Sequence, residues 1–142
     1  MNVISRFVVF CVVVLALSCE SNEIDPPDIN ARTIIDAELY NELSGFDVVD
    51  AEIIGDMLKI SIVSSGCDGN TWVARLICTG GVIKTNPPKR EVKIEFTSKE
   101  LCNAMVSKEF VFDLKPLRWS DSKKVEILLT SDKGTKSLLY KY

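Results

Sequence analysis

Glu91-Val92-Lys93-Ile94-Glu95-Phe96 alternates charged and apolar side chains without a break. Successive side chains of an extended chain point to opposite faces, so this stretch has one face for a core and one for water. The same period recurs on both sides of it. Leu58, Ile60 and Ile62 alternate with Lys59 and Ser61, and Trp72, Ala74 and Leu76 have Arg75 between them. Further on, Phe110, Phe112 and Leu114 alternate with Asp113 and Lys115, and Val125, Ile127 and Leu129 with Glu126 and Thr130. Each set reads as a half-buried strand.

The punctuation between these sets agrees. Gly55-Asp56 separates Val48–Ile54 from Met57–Ser64 and reads as a tight hairpin. Thr79-Gly80-Gly81 ends the Trp72 strand, Asn86-Pro87-Pro88 breaks the chain before Arg90, and Asp132-Lys133-Gly134 joins Lys124–Ser131 to Lys136–Tyr142. The expected fold is all-β and mainly antiparallel. It has about seven or eight short strands in a β-sandwich, immunoglobulin-like or as a partly closed barrel. Two stretches do not follow the period. Thr33–Leu43 suits either a short helix, from the spacing of Ile35, Leu39 and Leu43, or an edge strand. Ser98–Ser107 suits one helical turn capped by Ser98, with Leu101 facing inward.

The first residues have a different character. Met1–Arg6 is a short polar start with one positive charge, and Phe7–Leu17 is an unbroken apolar run. That run is too short for a spanning helix, which needs about twenty residues, and matches the central region of an export signal. Ala16, Leu17 and Ser18 then lead into Cys19. These four residues resemble the lipobox of bacterial lipoprotein precursors, which implies that the Cys19 thiol is diacylglycerated and the chain cut before it. An ordinary signal peptide cut near Ser18 is the alternative. Two or more acyl chains hold a protein stably at a membrane, at about 0.8 kcal/mol per buried methylene. Residues 20–31, ESNEIDPPDINA, are acidic, carry Pro26-Pro27 and show no apolar period, as expected of an extended tether. The domain plan is therefore a signal peptide at 1–18, a tether at 19–31 and a single β domain at 32–142.

Composition narrows the chemistry. Of 142 residues, 46% are hydrophobic, and the net charge is −3; that length suits one domain. Charges are interspersed, and no basic patch interleaved with aromatics points to nucleic acid. The chain has no histidine, which excludes Ser-His-Asp and Cys-His catalysis and any histidine-held zinc or haem. No cofactor is implied. Of the five cysteines, Cys11 lies in the signal and Cys19 is the proposed lipid site. An exported protein meets an oxidising compartment, so one disulfide is expected among Cys67, Cys78 and Cys102. Cys67–Cys102 is favoured, because Cys78 ends an apolar strand and suits burial as a small hydrophobe. Cys67–Cys78 remains the alternative. Thiolates at metal-binding spacing such as C-x-x-C do not occur.

Gly66-Cys67, Asn86-Pro87-Pro88, Leu101-Cys102-Asn103-Ala104 and Phe110-Val111-Phe112-Asp113-Leu114 together resemble small uncharacterised Bacteroidetes lipoproteins. The resemblance implies β architecture and a place in the bacterial cell envelope, at the outer membrane and with surface display open. It implies no activity. The acidic residues Glu20 and Glu23 after Cys19 loosely resemble a surface-export signal of that group.

Trp119, beside Arg118 on a loop, is the candidate binding residue: an exposed aromatic can stack on a sugar or anchor a partner, or else plug the end of a sandwich. Lys89-Arg90 and Lys123-Lys124 suit lipid headgroups, an acidic partner, or simply solvated strand ends. Glu91, Glu95 and Glu100 are the acids available for glycoside hydrolysis. Glu91 and Glu95 would stand about thirteen ångströms apart on one strand face, too far for the usual carboxylate pair. Asp68-Gly69-Asn70 reads as a turn, since it lacks the further acids of a calcium loop. The expected function is a non-catalytic binding or structural module, held to a membrane through Cys19 and meeting an envelope protein or a glycan. The alternatives are a carbohydrate-active enzyme working through carboxylates, or a protease-inhibitor-like β module using Thr79–Lys89.

Overall fold

The structure, a computed structural model, describes residues 31–142. The expected signal peptide 1–18, Cys19 and the tether as far as Asn30 lie outside the described residues. Ala31, which composition assigns to the tether, is already the first residue of a strand.

Eight strands make two sheets. The larger holds, in spatial order, β1 (Ala31–Ile35), β4 (Val73–Cys78), β5 (Lys89–Thr97), β7 (Lys124–Ser131) and β8 (Gly134–Lys141). The smaller holds β2 (Asp50–Ile54), β3 (Met57–Gly66) and β6 (Ala104–Asp113). Antiparallel pairs predominate, but β1–β4 and β5–β7 are parallel. The sheets do not close into a barrel, so the sandwich is the alternative that holds. Its parallel pairs also depart from the antiparallel sheets of an immunoglobulin domain.

The alternating faces meet in one core. Leu58, Ile60, Ile62, Phe110 and Phe112 of the smaller sheet pack against Ala74, Leu76, Val92, Ile94, Val125 and Ile127 of the larger. Each large apolar side chain so buried contributes about 2 kcal/mol through area removed from water. Trp72 is buried among them, with its ring edge-on to Phe96. The hairpin turns lie where the sequence places them: Ile54 pairs with Met57 across Gly55-Asp56, and Ser131 with Gly134 across Asp132-Lys133. Gly55 has a φ of 58° and Asp56 has no positive φ, the pattern of a II′ turn.

Thr33–Leu43 is both of its alternatives in succession. β1 ends at Ile35, Asp36 accepts the Leu39 N–H at 2.9 Å, and a short helix, α1 (Ala37–Glu42), follows. α1 covers the outer face of the larger sheet. Lys93 Nζ closes its C-terminal end, donating to the Tyr40 and Leu43 carbonyls at 3.0 and 2.5 Å. This cover explains why Leu76, Ile77 and Cys78 are all buried where strict alternation would expose the middle one.

Ser98–Ser107 forms no helical turn. Residues 98–103 are irregular and β6 begins at Ala104, while Leu101 faces solvent instead of the core. The Ser98 hydroxyl accepts the Glu100 N–H at 3.1 Å, a local bond that competes with helix.

From α1 the chain must pass from the outer face of one sheet to the other sheet. It does so below the β7–β8 turn, where β5 outlasts its pairing with β7. The Phe46 N–H donates to the Ile94 carbonyl at 2.8 Å, and the Phe46 ring lies 4.5 Å from that of Phe96. Gly45 sits in the passage with a φ of 86°, and a Cβ there would collide with the Thr130 carbonyl oxygen. Gly45→Ala therefore strains both the backbone and the passage. It is expected to lower unfolding stability by about 2 kcal/mol or more, read from urea denaturation midpoints.

Candidate functional site

The strand directions define two ends. Near one lie the start of β5, the β2–β3 turn, Leu114–Ser122 and the C-terminal residues; near the other lie Ala31, the end of β3 and the start of β6. Trp119 belongs to the first end. It is half-buried against the core and lines a groove of about 310 Å³ with Lys84, Thr85, Asn86, Pro88, Asp121 and Ser122.

What holds this groove together is Arg90, which is only 6% exposed and meets no carboxylate among the described residues. Its guanidinium donates instead to backbone carbonyls. Nη1 reaches Gly80 at 2.6 Å and Gly81 at 3.2 Å, Nε reaches Leu117 at 3.2 Å, and Nη2 reaches Arg118 at 3.3 Å. The β4–β5 loop and the β6–β7 connection, which form the two sides of the groove, are thus tied to one cation. The Trp119 ring lies over the same guanidinium at 5.9 Å. Sequence reading places Arg90 with Lys89 at a solvated strand end, and the structure corrects this for Arg90. The missed signal was parity: Arg90 shares the register of Val92 and Ile94, so it points inward with them. Lys89 does face solvent and pairs with Glu126 at 3.1 Å.

Arg118 is bound into a ring of polar contacts beside the groove. Its Nε donates to the Tyr140 hydroxyl at 2.9 Å and its Nη2 to Asp56 Oδ1 at 2.6 Å, while Tyr140 donates to the same oxygen at 2.7 Å. Burial and the adjacent Asp56 carboxylate push the Tyr140 hydroxyl up to about 12, so it remains a donor. The hydrogen bonds from Tyr140 and Arg118 in turn pull Asp56 below the usual carboxylate range. The Tyr142 hydroxyl accepts the Trp119 N–H at 2.7 Å and donates to the Trp119 carbonyl at 3.0 Å. Trp119 is therefore held by both Arg90 and Tyr142, while Lys84 and Asn86 have no partner among the described residues.

The remaining candidates fall elsewhere. Cys67 and Cys102 are joined in a disulfide with Cα atoms 5.0 Å apart, and Cys78 is a buried free thiol that burial pushes up. Asp68-Gly69-Asn70 is a turn, with Asp68 Oδ1 accepting the Asn70 N–H at 3.0 Å. Among the described residues no cluster of acids and cysteines is placed to hold a metal ion. Glu95 pairs with Arg75. Glu100 lies at the far end of the molecule, where the N–H groups of Cys67, Asp68, Gly69 and Thr71 donate to its carboxylate at 2.6–3.3 Å. Two larger concavities, of about 340 and 490 Å³, flank Phe46 and the β7–β8 turn. Several of their charges are paired, Asp47 with Lys133 at 2.7 Å, Lys136 with Asp50 at 3.4 Å and Glu95 with Arg75.

No protein-family model matches this sequence, and no curated protein is similar to it. Solved structures do share its fold. The chain is similar to a protein of unknown function from Bacteroides vulgatus, with a TM-score of 0.52 and 15% identity over 79% of this chain and 56% of that one. It is also similar to a NigD-like immunity protein from Bacteroides caccae, with a TM-score of 0.50 and 14% identity over 77% of this chain and 57% of that one. The chain thus spans a little over half the length of these neighbours.

Two outcomes follow from these contacts. Arg90→Leu leaves the buried Leu117 carbonyl and three part-buried ones without their donor and is expected to cost about 2 kcal/mol of stability, with loss of the near-ultraviolet dichroism of the tryptophans. Glu100 titrates far from its ordinary value of 4.5. Partial desolvation pushes it up, but the amide donors of Cys67, Thr71, Gly69 and Asp68 outweigh this and bring it down to about 2. The stabilisation is fully present above 4.5 and is lost as pH falls toward 2. Glu100→Gln should flatten the acid limb of a plot of denaturation midpoint against pH, and an unchanged limb would count against this bond set.

Proposed function

We propose that this chain is an envelope lipoprotein, anchored through Cys19, whose β-sandwich is a non-catalytic binding module that meets its partner at the Trp119 groove. The observation that carries the reading is the placement of the groove. β1 enters the domain at the opposite end, so a tether leaving Ala31 toward a membrane directs Trp119 away from it. The resemblance of Ala16-Leu17-Ser18-Cys19 to a lipobox supports the anchor. The outer membrane, with display on its outer surface, is the location this arrangement suits.

The groove has the composition of a recognition surface. A braced aromatic provides a rigid contact with little entropy left to lose, and Lys84, Asn86, Asp121 and Ser122 offer donors and acceptors around it. A protruding peptide loop or a glycan of the envelope suits such a groove. The fold is compatible with a role of this kind, since a NigD-like immunity protein shares it. The carboxylate-enzyme alternative finds little support, because Glu91, Glu95 and Glu100 converge on no common cleft. Arg118 acts through Asp56 and Tyr140 to hold the groove's wall.

Trp119→Ala tests the reading. In crosslinking on intact envelopes, it is expected to reduce partner capture about tenfold or more while the fold is retained. Unchanged capture by a folded Trp119→Ala protein would remove the groove from the reading.

A further inference from the structure

The end of the sandwich away from Trp119 carries two conspicuous apolar side chains, Leu101 at 95% exposure and Met105 at 72%. Single exposed leucines are common on soluble proteins, but this one is held in place. The residue before it, Glu100, has its carboxylate in the amide cradle of residues 67–71. The residue after it, Cys102, is bonded to Cys67. The cradle is shaped for that carboxylate, since a Cβ on Gly66 would collide with Glu100 Oε2. Both neighbours of Leu101 are therefore fastened to the body, and the leucine is directed outward between them. Met105 stands close by in the chain, opposite Ser65 on the outward face of β6.

Ala31 enters the domain at this same end, paired with Ala74 beside Phe96. Eleven residues lie between Cys19 and Ala31, a length that spans at most about 40 Å. The anchored domain is thus confined to a thin layer over the lipid, with this end nearer to it. At such a local concentration a weak apolar contact suffices, because the acyl chains already carry the affinity. Exposed Lys99, two residues before Leu101, suits anionic headgroups.

We propose that Leu101 and Met105 form a membrane-contacting tip. It enters the boundary between headgroups and acyl chains and sets the domain upright, with the Trp119 groove outward. The inference rests on the Cys19 anchor of the preceding reading. Its occupant is the lipid surface that bears the anchor.

The test uses the full lipidated chain in phosphatidylethanolamine–phosphatidylglycerol vesicles, with and without lipids brominated near the headgroup. Leu101→Trp places a reporter at a site exposed enough to accept it, and retention of the disulfide and of the thermal midpoint checks its fold. Wild type is the reference, because Trp72 is buried and Trp119 lies at the other end. Bromination should quench the added emission about twofold, and wild-type emission little. Leu101→Trp with Met105→Asp should lose that quenching. An anchored chain with unquenched Leu101→Trp emission overturns the tip and leaves the anchor standing. If that emission shifts to the blue as surface density rises, the tip belongs to a second copy of the chain instead. A chain whose mass lacks acyl groups and that does not float with vesicles overturns the anchor, and the tip with it.

Discussion

A buried guanidinium held by backbone carbonyls organises the end of the molecule that carries the candidate site. Arg90 gives up hydration and receives four carbonyl oxygens in return, from two segments far apart in sequence. Burying a charge is costly unless its hydrogen bonds are made, so the β4–β5 loop and the Leu114–Arg118 segment can adopt few other arrangements while Arg90 is inside. Lysine could not replace it, since one ammonium lacks the planar fork that reaches both loops at once. The position of the Trp119 ring follows from this cation below it and from Tyr142 beside it.

Most of the framework was legible because a sandwich rewards one simple pattern. Leu58, Ile60, Ile62, Val92, Ile94, Phe110 and Phe112 all face the core as their period demands, and the glycine-bearing turns lie where expected. Periodicity carries no information about strand neighbours, so the parallel β1–β4 and β5–β7 pairs were not foreseen. The same parity contained Arg90, but its charge pointed the other way: a cation is expected outside, and its acceptors, backbone carbonyls of distant loops, leave no trace in residue identity.

The loops were less legible for a related reason. Ser98–Ser107 has the residues of a capped helical turn, yet Glu100 finds four N–H donors about thirty residues away in sequence and Cys102 finds Cys67. Two long-range bonds outweigh a marginal local propensity. At the candidate site, Trp119 and Arg118 were recognisable as unusual loop residues, whereas the Asp56–Tyr140–Arg118 ring joins positions from three separate stretches of the chain.

The edge position of β1 has a mechanical consequence. Its ladder runs parallel to β4 from Ala31–Ala74 to Ile35–Cys78, and Thr33 Oγ1 adds a bond to the Asp113 carbonyl of the other sheet at 2.7 Å. Tension drawn through residue 31 acts along the strand, so the rungs are loaded together in shear. A hairpin pulled open from its tip would instead lose its rungs singly, each bearing the whole load in turn. Under the anchor proposed above, drag on the body would pass through this first strand in the geometry that yields last.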